Sequence, residues 1–171
     1  NVTDTTDVST SAAIEAAIGS AGGVGLTFAL TTGVDSGSAF TGGAGNDTFN
    51  ANPGAASAQT FTALDSLDGG AGTDTLNVTD TLNAAFVLST SASVKNIETV
   101  NVLISSDGAG DTLTADVSSW TGLTTANFTV SGTDSAMTIT TKGNATAASV
   151  TGSAAATLTD SATTDTLATL T

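Results

Sequence analysis

Two nine-residue segments carry residue types suited to holding a hard cation. Gly42-Gly43-Ala44-Gly45-Asn46-Asp47-Thr48-Phe49-Asn50 aligns with Gly69-Gly70-Ala71-Gly72-Thr73-Asp74-Thr75-Leu76-Asn77. Both satisfy G-G-x-G-x-D-x-U-x, where U is a large apolar residue. Glycines let the backbone turn through left-handed conformations and aim several carbonyls at one centre. The aspartate adds a carboxylate, and the apolar residue two places on anchors the next strand in a core. Oxygen donors without nitrogen or sulfur suit calcium, which takes about six to eight of them. Asp65 and Asp68 precede the second turn and extend its donor set. Asp107-Gly108-Ala109-Gly110-Asp111 reads as a third, shortened turn, with Asp107 and Asp111 as its carboxylates. The plainer reading is that each segment is only a turn whose Asp caps its own backbone.

Composition favours the cation. The 171 residues include 16 acidic and 2 basic side chains, for a net charge of −14. Such a charge opposes a compact state by self-repulsion unless cations neutralise part of it. A site with a dissociation constant of about 10⁻⁴–10⁻³ M would fill outside a cell and empty in the cytosol. At about ten times that constant, each site adds about 1.4 kcal/mol. With no His and no Cys, a zinc site of nitrogen and sulfur donors, thiol chemistry and disulfides are excluded. Without Arg, and with so few Lys, nucleic acid and anionic membranes have no electrostatic purchase. No apolar run is long enough for a membrane-spanning helix. Surface roles are the expectation for Lys95 and Lys142, and core or end-cap packing for Trp120. No catalytic set emerges, so the chain does not read as an enzyme. It begins at Asn1 with no visible signal peptide, which reads as a processed or excised piece of a larger protein.

The elements that must position these turns are mostly strands. One helix is predicted over 9–18, with Ser9, Thr10 and Ser11 as caps and Ala13, Ile14, Ala17 and Ile18 on one face. Alternation predicts strands over 26–32, 74–79, 96–105, 124–131, 136–141, 148–151 and 155–159. Phe128, Ile139 and Val150 recur at 11-residue intervals. That spacing suits a solenoid whose coils place one inward apolar residue on each side. Stacked Asn and Thr are able to form hydrogen-bonded ladders between coils. The fold expected is mainly β, a β-solenoid of β-helix or β-roll type with one short N-terminal helix; an antiparallel β-sandwich is the alternative. Residues 1–38 form a lead-in with the helix and first strand, 39–80 the Gly-Asp turns, and 81–171 Thr/Ala-rich rungs.

The two Gly-Asp segments resemble the RTX nonapeptide of calcium-binding secreted bacterial proteins. That resemblance implies Gly43, Gly45 and Asp47 as calcium ligands in the first turn, and Gly70, Gly72 and Asp74 in the second. RTX repeats run every nine residues, whereas these copies stand 27 apart, so a regular tandem stack is not expected. Leu30-Thr31-Thr32-Gly33-Val34-Asp35, Leu64-Asp65-Ser66-Leu67-Asp68 and Val94-Lys95-Asn96-Ile97-Glu98-Thr99-Val100-Asn101-Val102 are similar to calcium-dependent surface-layer proteins of Gram-negative bacteria. The likeness covers residues 26 to 105. It implies export by type I secretion, calcium-stabilised folding outside the cell and assembly into lattices. The chain is therefore expected to be an extracellular or cell-surface structural protein that partners itself in a layer or filament, with a cell-surface polysaccharide as a further partner. The alternatives are a binding module of an RTX-type adhesin and the calcium-folded tail of a secreted hydrolase.

Overall fold

The computed structural model describes residues 23–52, 59–81, 86–88, 91–105, 112–131, 136–141, 147–151, 155–160 and 169–170. The helix expected over 9–18 and the third turn with Asp107 and Asp111 lie outside them. In chain order the strands are β1 (Thr27–Ala29), β2 (Thr48–Ala51), β3 (Ser66–Asp68), β4 (Thr75–Asp80) and β5 (Phe86–Leu88). There follow β6 (Ser93–Lys95), β7 (Thr99–Ser105), β8 (Thr112–Asp116) and β9 (Thr125–Ser131). The series ends with β10 (Ala136–Thr141), β11 (Ala147–Thr151), β12 (Ala156–Asp160) and β13 (Thr169–Leu170). A 3-10 turn, Gly37–Phe40, follows β1.

Every pairing between these strands is parallel, so the molecule is a β-solenoid and not an antiparallel sandwich. A long sheet runs β1-β2-β4-β7-β9-β11-β13, a four-stranded sheet runs β12-β10-β8-β5, and a short sheet pairs β3 with β6. Single bridges from Thr41 to Asp68 and from Lys95 to Thr121 extend the short sheet by one coil each way. From β9 onward the described strands alternate between the long and four-stranded sheets only. This explains the 11-residue spacing: Phe128, Ile139 and Val150 sit on β9, β10 and β11, on alternating sides of the coil.

The core is a set of columns running through the stack. Phe49, Leu76, Val100 and Ala126 lie in register, all fully buried. Val78, Val102 and Phe128 form the next column, and Leu113 stacks on Met137. Each large side chain buried this way contributes about 1.5–3 kcal/mol. Phe28 closes one end of the first column by stacking on Phe49, rings 4.5 Å apart and tilted by 13°. Trp120 is buried and packs edge-on against Phe61 at 5.8 Å, which makes it a core residue.

The expected ladder is present on the outer face of the long sheet. Asn77 donates its amide to Asn50, Asn101 to Asn77 and Asn127 to Asn101, each at 2.9 Å. Replacing Asn77 by Ala removes two of these bonds at a half-buried position. We expect a loss of about 1–2 kcal/mol in urea denaturation; an unchanged midpoint and slope would show the ladder to be energetically idle.

Candidate functional site

The Gly-Asp turns stack directly upon one another, and their aspartates form a column. The Asp47 backbone N–H donates to Asp74 Oδ1 at 2.7 Å, and the Asp74 N–H donates to Glu98 Oε2 at 2.7 Å. Asp47 in turn accepts from the Leu26 N–H at 2.6 Å and, across its own turn, from the Gly43 N–H at 2.7 Å. Each acid thus caps a backbone amide of the coil before it. These amides lie at corners, where the sheet ladder offers no acceptor, and a buried N–H without one costs about 1–3 kcal/mol.

A second acidic column stands at another corner. Asp65 accepts from the Asp35 N–H at 2.9 Å, the Thr62 N–H at 2.6 Å and the Thr62 hydroxyl at 2.8 Å. Asp35 accepts from the N–H and hydroxyl of Thr31 at 2.7 and 2.8 Å. Both carboxylates are buried. Asp68 lies apart from this column on the short sheet, where Lys95 pairs with it at 3.2 Å and Asn96 donates to it at 2.8 Å. Burial pushes the Asp68 carboxyl up, but bonds from Asn96, Lys95 and the Gly70 N–H outweigh it and hold it below the usual carboxylate range.

The glycines act through space as well as conformation. A Cβ at Gly42 would overlap Gly69 O and Asp47 Oδ2, and one at Gly69 would overlap Asn96 O and Asp74 Oδ2. Gly45 packs on the Gly23–Gly25 backbone, and Gly72 on Gly45 O. The Gly43 carbonyl accepts the Ala71 N–H at 2.8 Å. Gly70 (φ 88°) and Gly72 (φ 137°) lie in the left-handed region that favours glycine.

This arrangement decides how far the residues suit calcium. In the first turn each Asp47 oxygen and the Gly43 carbonyl accepts one backbone amide, and each keeps a second lone pair. Asp65 accepts two of its bonds at Oδ1 and one at Oδ2. The second turn differs by one peptide: the Gly70 N–H turns to Asp68 at 3.2 Å instead of capping Asp74. Asp74 Oδ2 is left fully buried with no hydrogen-bond partner. Among the described residues, no three metal-binding acidic side chains gather at one point. In the second turn Asp74 Oδ2 is a buried carboxylate oxygen that accepts no hydrogen bond.

Burial, with the charges of Asp47, Glu98 and Asp68 adding to it, pushes the Asp74 carboxyl up to about 6. The folded protein holds this proton more tightly than the unfolded chain, so stability falls as pH rises from about 4 and the loss is complete above about 6. At about 1.4 kcal/mol for each unit, the total is on the order of 3 kcal/mol. Asp74→Asn mimics the protonated acid. In chelator at pH 7 it is expected to be more stable than wild type by a similar amount, with the advantage gone near pH 4. Denaturation curves at pH 4, 5, 6 and 7 measure this, and parallel profiles for the two proteins would contradict it.

Sequence reasoning did not assign Asp35 or Glu98 to these columns. The available signal was coil register, since Glu98 follows Asp74 by 24 residues, as Asn101 follows Asn77. Comparison with protein-family models gives no match, and comparison with curated proteins gives none either. The fold and the stacked acidic turns define a parallel β-solenoid held by side-chain ladders.

Proposed function

We propose that this chain is an extracellular structural protein of the bacterial cell surface that associates with itself into a layer or filament. The observation that carries this reading is the in-register parallel stack, repeated coil on coil by carboxylate and amide ladders. Among the described residues the stack ends in strands with one paired neighbour: β12 and β5 border the four-stranded sheet, and β1 and β13 the long one. Unpaired parallel edges are templates for another chain. Calcium enters the same proposal at the second turn, where Asp74 Oδ2 has no other partner. Bound there, the ion would supply positive charge to a stack of Asp47, Asp74 and Glu98.

Light scattering and far-UV circular dichroism during one calcium titration, with a chelator control, test both parts. Millimolar calcium is expected to raise the melting temperature and increase particle size. The Asp74→Asn protein should lose the thermal response to calcium. Growth of particles without any calcium response would remove the ion and keep the structural role. A calcium-stabilised monomer that never assembles would instead support an adhesin module or the folded tail of a secreted hydrolase.

A further inference from the structure

We infer that the outward face of the long sheet is the surface on which a second copy of this chain docks. This rests on the self-association proposed above and names the contact through which it begins. The first observation is where charge is missing. The chain carries a net charge of −14, yet no outward side chain of the long sheet is charged among the described residues. The other two faces differ: Asp116 stands on the four-stranded sheet, and Asp68 and Lys95 on the short one. A polyanion repels its copies over most of its surface, so approach is least opposed across the neutral face.

The second observation is order. Thr48, Thr75, Thr99 and Thr125 form one in-register row, each half-exposed. The neighbouring row is the amide ladder, whose side chains are already fixed by their bonds to each other. Docking therefore orders little that is still free, and this lowers the entropic cost of association. Rows of identical β-branched and Asn side chains are also the surfaces through which sheets pair face to face. A two-fold axis would set each row against its own copy. Leu103, 41% exposed, stands on the same face as an apolar contact.

Size sets the strength. The strands from β1 to β11 of this sheet stand about 4.8 Å apart, with outward positions about 6.7 Å apart along each, and cover on the order of 500 Å². A standard interface covers about 800 Å² on each partner. The contact is thus a reversible one that forms at high protein concentration.

Sedimentation velocity of the full 171-residue chain over a hundredfold concentration range, at low and high salt, tests the inference. Wild type should shift from monomer to dimer, with added salt leaving the dimer intact or strengthening it. Thr75→Glu with Thr99→Glu places charge on the face and should hold the protein monomeric at ten times the wild-type midpoint concentration. Leu103→Glu, at an exposed position, should do the same and covers the case in which the threonine pair disturbs folding. Thr114→Glu with Thr138→Glu, on the four-stranded sheet, should dimerise like wild type. A wild type that stays monomeric throughout overturns the inference, even if it binds an insoluble uncharged polysaccharide. A dimer that survives both long-sheet variants does so as well. Large particles without this dimer would sink the surface and leave the assembly reading standing; a dimer without larger particles would do the reverse.

Discussion

Gly69→Ala is expected to abolish the native stack at ambient temperature. The added methyl would occupy the space of the Asn96 carbonyl oxygen in the next coil and of Asp74 Oδ2 in its own turn. A carboxylate is able to swing aside, but a backbone carbonyl moves only if the coil moves. Coils are locked at their strand spacing by β4 pairing with β7 over six residues, from Thr75↔Thr99 to Asp80↔Ile104. The strain falls on a fold whose total stability is about 5–15 kcal/mol, and we expect a loss of more than about 4 kcal/mol. Gly33→Ala is the matched control: only the Thr31 hydroxyl approaches, at an ordinary 3.5 Å. Its denaturation midpoint should stay within about 0.5 kcal/mol of wild type. If Gly69→Ala melts with the control, close coil approach at this corner is not what the glycine provides.

Asp65→Ala is expected to cost about 3–5 kcal/mol, because three donors lose their acceptor at once. Two are backbone amides, of Asp35 and Thr62, and the third is the Thr62 hydroxyl. Asp65→Asn keeps one carbonyl oxygen and should fall between the alanine variant and wild type. Amide exchange at Asp35 and Thr62 should accelerate in the alanine variant ahead of the β7 amides. Equal acceleration everywhere would mean that Asp65 supports the global fold without specifically holding this corner.

Much of the architecture was legible where inward residues are large and strands are long. In β7, Val100, Val102 and Ile104 alternate with Thr99, Asn101 and Leu103, and the structure buries the first three. The short sheet was not legible, because β3 and β6 have three residues each, with Leu67 and Val94 as single inward positions. One apolar residue cannot establish a period. β8 was missed for a related reason: Ala115 follows Leu113 inward, and Ala is too small to mark a buried face. The turns were legible as sequence segments but not as contacts. Spacing within a segment shows that Asp47 ends a Gly-rich turn; it does not show that the Leu26 N–H, 21 residues earlier, lies against that carboxylate. Nor does it show that the Asp65 carboxylate accepts the Asp35 N–H, 30 residues earlier.

The amides of the long-sheet ladder are separated by 27, 24 and 26 residues, yet each pair meets at the same 2.9 Å. Register is therefore indifferent to how much chain fills the corners. Each coil contacts only its neighbours, so gaining or losing one leaves the remaining contacts in place. Unequal recombination between two such genes would yield longer or shorter rods, with length open to selection independently of the chemistry of any one coil.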